Sequence, residues 1–156
     1  MKKLAGVLVV IAVGMWIALY NQPYVVSLGV CSLPVKMKVS DITNRGYRIV
    51  EASGSNAIYA YGDSKLLVES SDSGDVLSVY ADTMLSESTD MSVYGRIRLG
   101  SSEEDVRKKY GEPAFDLGNN CYLFTKRFNK DTDDIIAIGT QDGKVIHTEI
   151  LYEVSE

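Results

Sequence analysis

The chain has 156 residues, 46% hydrophobic and 24% charged, with a net charge of −5. Both fractions are typical of a globular protein, and the length beyond residue 34 suits one ordinary domain. The acidic balance disfavours nucleic acid and anionic lipid surfaces as partners, and two cysteines with one histidine argue against a structural zinc site.

Met1-Lys2-Lys3 is followed by an uncharged apolar run, Leu4 to Tyr20. As a helix this run covers roughly 25 Å, against about 30 Å for a bilayer core. Extension through Tyr24-Val25-Val26 closes the gap, although Asn21, Gln22 and Pro23 interrupt it. Trp16, Tyr20 and Tyr24 lie where aromatic rings prefer the interface, and Lys2 and Lys3 favour a cytoplasmic N-terminus. The expectation is a single-pass cell-membrane protein with residues 1–26 as anchor or signal segment, 27–34 as linker and 35–156 as an extracytoplasmic domain. Two alternatives stay open: a signal peptide cut near Ser27-Leu28-Gly29, and a lipoprotein modified at Cys31. Without Lys2 and Lys3, fourteen basic groups face twenty-one acidic ones, so the exported part carries −7. Cys31 and Cys121 have the chance to pair in an oxidising compartment, but nothing in their placement shows that they meet.

Residues 35–46 read as a short helix, capped at Ser40 or Asp41 and ended by Gly46. Strand-like runs follow at Tyr47–Ala52, Ala57–Tyr61, Lys65–Glu69 and Val76–Ala81, punctuated by glycine-bearing turns. Ser86–Asp90 looks like a polar linker, and Met91–Leu99 is strand-like. The clearest helix lies between Gly100 and Pro113. Ser101 and Glu104 have capping-box spacing. Acids fill its first turn and bases its last, and Glu103–Arg107, Glu104–Lys108 and Asp105–Lys109 stand i,i+4. Only Val106 and Tyr110 are apolar, so the helix covers a layer rather than filling a core.

Cys121–Phe128, Ile135–Thr140 and Lys144–Tyr152 are three further strand candidates, with Asp142-Gly143 suited to a two-residue hairpin. The fold expected is α+β: short helices packed on an antiparallel sheet. Each half offers a helix, strands and a glycine turn before an apolar strand. Asp72-Ser73-Gly74-Asp75-Val76-Leu77 echoes Gln141-Asp142-Gly143-Lys144-Val145-Ile146, so half-repeats over 35–85 and 91–152 are an open alternative to an unrepeated chain.

The segment Ile97-Arg98-Leu99-Gly100-Ser101-Ser102-Glu103-Glu104-Asp105-Val106, closing at Tyr110-Gly111-Glu112-Pro113, resembles one that recurs in small bacterial envelope proteins. These include the small lipoprotein of the outer-membrane assembly machine, β-lactamase-inhibitor-like domains and domains that accompany CAP modules. The resemblance implies a helix-on-antiparallel-sheet fold and an envelope role. It transfers no catalytic residue, because its motif is a helix entry and a glycine exit.

No residue set points to catalysis, a cofactor or a metal. His147 is the single histidine, and alternation sets it opposite Ile146 and Ile150, toward solvent or a shallow groove. No serine lies in a Gly-x-Ser-x-Gly elbow. Asp131-Thr132-Asp133-Asp134 opens like a calcium loop but places Ile136 where glycine is needed. It reads as a solvated turn, as does Asp72-Ser73-Gly74-Asp75. Ten tyrosines against three phenylalanines are the compositional oddity. Tyrosine suits half-buried sheets and recognition surfaces alike, and the candidate binding surface is the open sheet face near Tyr59, Tyr61 and Tyr80. The functional expectation is an anchored, non-enzymatic domain that binds an envelope or secreted protein. An inhibitor or modulator of a secreted enzyme and a cell-wall enzyme are the alternatives.

Overall fold

The chain folds as a mainly β structure in which the expected helices are short. The computed structural model describes residues 26–28, 31–33, 36–87, 89–128 and 133–152. Its elements run β1 (Val26–Leu28), β2 (Cys31–Ser32), α1 (Val39–Thr43), β3 (Arg48–Ser53), β4 (Asn56–Tyr61), β5 (Ser64–Ser70), β6 (Val76–Asp82), β7 (Met91–Val93), α2 (Glu103–Tyr110), β8 (Phe115–Gly118), β9 (Cys121–Arg127), β10 (Ile135–Gln141) and β11 (Lys144–Leu151). Strands hold 53% of these residues and helices 11%, so the α+β assignment is corrected to a mainly β fold. The physical reason is that α1 has only five residues and α2 eight, and each buries a single side chain fully into the core, Ile42 and Val106. Val39, Ser40, Asp41 and Thr43 are weak helix formers, so the helix expected over 35–46 shortens to one turn.

The membrane reading is corrected as well. Among the described residues no helix is long and apolar enough to cross a bilayer. Val26, to which the apolar helix was extended, lies in β1 and pairs with Val93 of β7. The rest of the expected anchor, and with it the single-pass topology, lies outside the described residues. The stretch assigned to a linker holds most of β1 and all of β2, which with β7 form a three-stranded sheet in the order β2-β1-β7.

Eight strands form one antiparallel sheet in the order β3-β4-β5-β6-β11-β10-β9-β8. Each half contributes a helix followed by a four-stranded meander, and the halves join edge to edge through β6 and β11. The helix attachments correspond. Val39 N–H donates to Gly74 O (3.0 Å) and Val76 N–H to Met37 O (2.9 Å); Glu103 N–H donates to Gly143 O (2.9 Å) and Val145 N–H to Ser101 O (2.9 Å). Lys38 bridges Asp75 just as Ser102 bridges Lys144. Both inner hairpins carry a bulge, which leaves Leu77 and Ile146 out of their hairpin registers; their carbonyls accept instead from Tyr152 N–H (2.9 Å) and Thr83 N–H (3.0 Å). Under this correspondence the pairs Val79↔Ile150 and Ala81↔Thr148 exchange, and Tyr80↔Glu149 maps onto itself. The halves are therefore related by an approximate two-fold axis through the Tyr80–Glu149 pair.

Both helices lie on the same sheet face. Thr140 Oγ1 donates to Glu103 Oε2 (3.1 Å), and the Arg107 guanidinium stands 5.2 Å from the Tyr122 ring and 5.5 Å from the Phe124 ring. Tyr47, at the end of the α1 loop, hydrogen-bonds Ser64 Oγ (2.7 Å) and the Asp90 carboxylate. The core between the layers contains Leu66, Val68, Val79, Phe124, Ile136, Ile138 and Ile150 from the sheet, with Ile42, Met91, Val93 and Val106 above it.

Local chemistry sets the connections. Asp142 (φ 48°) and Gly143 (φ 76°) have the two positive φ values of a tight hairpin turn. Ser102, one residue later than expected, caps α2: its Oγ accepts from Asp105 N–H at 3.1 Å. Glu103–Arg107 and Glu104–Lys108 form at 2.8 Å each. The strand expected over Met91–Leu99 stops at Val93, because Gly95 and Arg96 take positive φ and fold Ile97 back onto Val93.

Candidate interaction surface

Strand parity decides which tyrosines share a surface. Tyr59 pairs with Leu66 and is only 3% exposed, so it belongs to the core face. Tyr61, at the end of β4, is 56% exposed and lies against Tyr47, with ring centroids 5.7 Å apart. Tyr80 pairs with Leu67 and Glu149 and points to the opposite, helix-free face. The three predicted residues thus do not form one patch, and only Tyr80 lies on the open face.

That face has a readable order. One cross-strand row runs Glu51, Ile58, Leu67, Tyr80, Glu149, Ala137, Thr125. The adjoining row runs Asp82, His147, Gly139, Leu123, Phe115. Ile58, Leu67, Tyr80 and Leu123 are half-buried, whereas Phe115 is exposed. The face is therefore apolar in its middle strands with acids set among them.

The centre of the face is a cluster that sequence reasoning missed. His147 Nδ1 lies 3.3 Å from Asp82 Oδ2, and Nε2 lies 3.4 Å from Glu149 Oε2. The Tyr80 ring is 5.5 Å from the imidazole. A neutral imidazole can donate from only one nitrogen, so both carboxylates are served only by the imidazolium. Burial disfavours that charge, but Glu149 and Asp82 outweigh it and raise the His147 pKa above the ordinary value. Burial, aided by the same two carboxylates, raises the Tyr80 pKa too. A Cβ at Gly139 would stand 3.2 Å from the His147 Cβ, so this bare position leaves the ring room on the β10 side. The signal available in sequence was the i,i+2 pair His147–Glu149 on one strand face; Asp82 joins only through the β6–β11 pairing.

The two carboxylates sit at opposite ring nitrogens and do not converge on a common point. Among the described residues, no group of three or more His, Cys, Asp or Glu could hold a metal ion. In the turn read against calcium, Asp133 pairs with Arg127 at 2.6 Å and Asp134 is buried, while Asp131 and Thr132 lie outside the described residues. In the other acidic turn, Ser73 donates to Asp75 Oδ2 (2.6 Å) and Lys38 lies 3.6 Å away, which together hold the Asp75 carboxyl below its ordinary pKa. Cys121 carries a free, half-buried thiol.

Protein-family models, characterised proteins and solved structures offer no match to this chain.

Proposed function

We propose that the chain is a non-catalytic protein-interaction domain that engages a partner protein across the open face of its eight-stranded sheet. The observation that carries this reading is the face itself: Ile58, Leu67 and Tyr80 lie half-buried beside Asp82 and Glu149, on the side away from both helices. A mixed apolar and acidic surface fits a partner that offers apolar side chains flanked by basic ones. The non-catalytic part is supported by His147. Both of its ring nitrogens face carboxylates, whereas a general base for nucleophilic chemistry keeps one for a hydroxyl or thiol.

Photo-crosslinking in the native cell tests this. A benzophenone side chain at Leu67 or Ile58 is expected to trap a discrete protein adduct. The same group at Met84, which is 95% exposed in the turn after β6, is expected to trap none. Equal labelling from all three positions, or no adduct at the sheet positions, overturns the reading. The Tyr80→Ala variant is expected to lower the adduct yield from Leu67, since aromatic anchors contribute heavily at interfaces.

A further inference from the structure

The outermost strand of the first half is an exposed edge that combines large apolar side chains with two charges and a bulge. All six residues of β3 are exposed, including Ile49 at 55% and Val50 at 59%. Large apolar side chains on an uncovered edge strand form a template for another strand. The charges beside them are also unspent: among the described residues, neither Arg48 nor Glu51 has an ion-pair partner.

The β3–β4 register adds the decisive point. Arg48 pairs with Ala60 and Glu51 with Ile58, and both of these face the open side; Ile49 pairs with Tyr59 on the core side. The extra residue, Val50, puts Arg48 and Glu51 on one face although they are three positions apart. Arg48-Ile49-Val50-Glu51 is then its own complement. Run antiparallel against a copy of itself, Arg48 meets Glu51 of the second copy, Ile49 meets Val50, and each pair recurs on the other side of a two-fold axis.

We infer that β3 is a self-pairing edge, through which two copies of this chain associate into a symmetric dimer with one continuous sheet. An interface of this kind is isologous, so one segment supplies both halves. Opposite charges set directly across a strand pair attract, and like charges in the same places repel. The other sheet edge does not have this property. In β8, Asp116 stands between the exposed Phe115 and Leu117, and no basic residue lies in the strand to answer it.

The test is a charge swap in the full chain, kept in mild non-ionic detergent so that the Leu4–Tyr20 run stays dispersed. Association is read by sedimentation equilibrium. The unmodified chain is expected to dimerise. Arg48→Glu and Glu51→Arg each turn two attractive pairs into two repulsive ones, and each is expected to weaken the dimer about tenfold or more. The double variant R48E/E51R restores both pairs with reversed polarity and is expected to recover most of the affinity. Val50→Lys, a change at an exposed position, is expected to give monomer at every concentration. A monomeric unmodified chain overturns the inference. Association that none of these substitutions alters also overturns it, because contacts elsewhere would then hold the copies together.

Discussion

The two halves share a scaffold but differ in how each secures its parts. In both, a short helix docks on the end of a hairpin through two backbone hydrogen bonds and one bridge. The second half adds side-chain chemistry: Ser102 caps α2, and Glu103–Arg107 and Glu104–Lys108 lace its surface. The first half has no side-chain cap from Lys38; its helix start is served by the Asp41 carboxylate, which accepts from Lys38 N–H at 2.8 Å. At the two-fold axis the halves differ in polarity. Val79 in β6 corresponds to Thr148 in β11, and both are buried, but the Thr148 hydroxyl has no hydrogen-bond partner among the described residues. One backbone plan therefore tolerates different solutions wherever the main chain alone supplies the attachment.

The largest expected effects break the correspondence at the axis. Val79→Thr places a further unpartnered hydroxyl in the core, in addition to those of Thr148 and Tyr152, and should cost about 1–3 kcal/mol of stability. Thr148→Val removes the Thr148 hydroxyl at nearly constant shape and should stabilise by about 1 kcal/mol. Urea denaturation measures both. Changes of the same sign at the two sites would contradict the equivalence of their surroundings.

The helix starts give the next contrast. Ser102→Ala should cost about 1 kcal/mol. Lys38→Ala should cost only a few tenths, because its side chain caps nothing and its ion pair with Asp75 is exposed. Equal losses would mean that Ser102 contributes no more than its backbone.

The smallest effect is the pH dependence of the axis cluster. The folded-state pKa of His147 is raised, so its contribution is fully present below the unfolded value of about 6.5 and fades as pH rises through the folded value. His147→Gln should therefore cost more stability at pH 5 than at pH 8. An equal cost at both values would show that Asp82 and Glu149 do not favour the imidazolium.

Legibility in the sequence followed the range of the interactions. Helix α2 was readable because its acids, bases and terminating glycine act within a turn or two of backbone. The hairpin at Asp142-Gly143 was readable because positive φ values demand those residues. The β8 strand was missed because Phe115–Gly118 is fully exposed and lacks a buried alternation. The capping residue was displaced by one, since Ser101 and Ser102 offer the same hydroxyl; in the fold Ser101 Oγ accepts from Arg98 N–H (3.1 Å) and Ser102 bridges Lys144. The tyrosines were misgrouped for a related reason. Alternation shows that Tyr59 and Tyr61 share parity, but it says nothing of how Tyr80 on another strand is phased against them.

What the sequence by itself determined is the inventory of local pieces: the hairpin strands, the α2 helix with two of its three expected ion pairs, the Asp72–Asp75 turn and the faint echo between halves. These depend on neighbours within a few residues, and residue order encodes such neighbours directly. Only the tertiary structure decided that the two meanders join through β6 and β11, that Asp82 reaches His147, and that Arg48 and Glu51 share a face. Those outcomes depend on strand register and bulges, where one extra residue reverses every side chain beyond it.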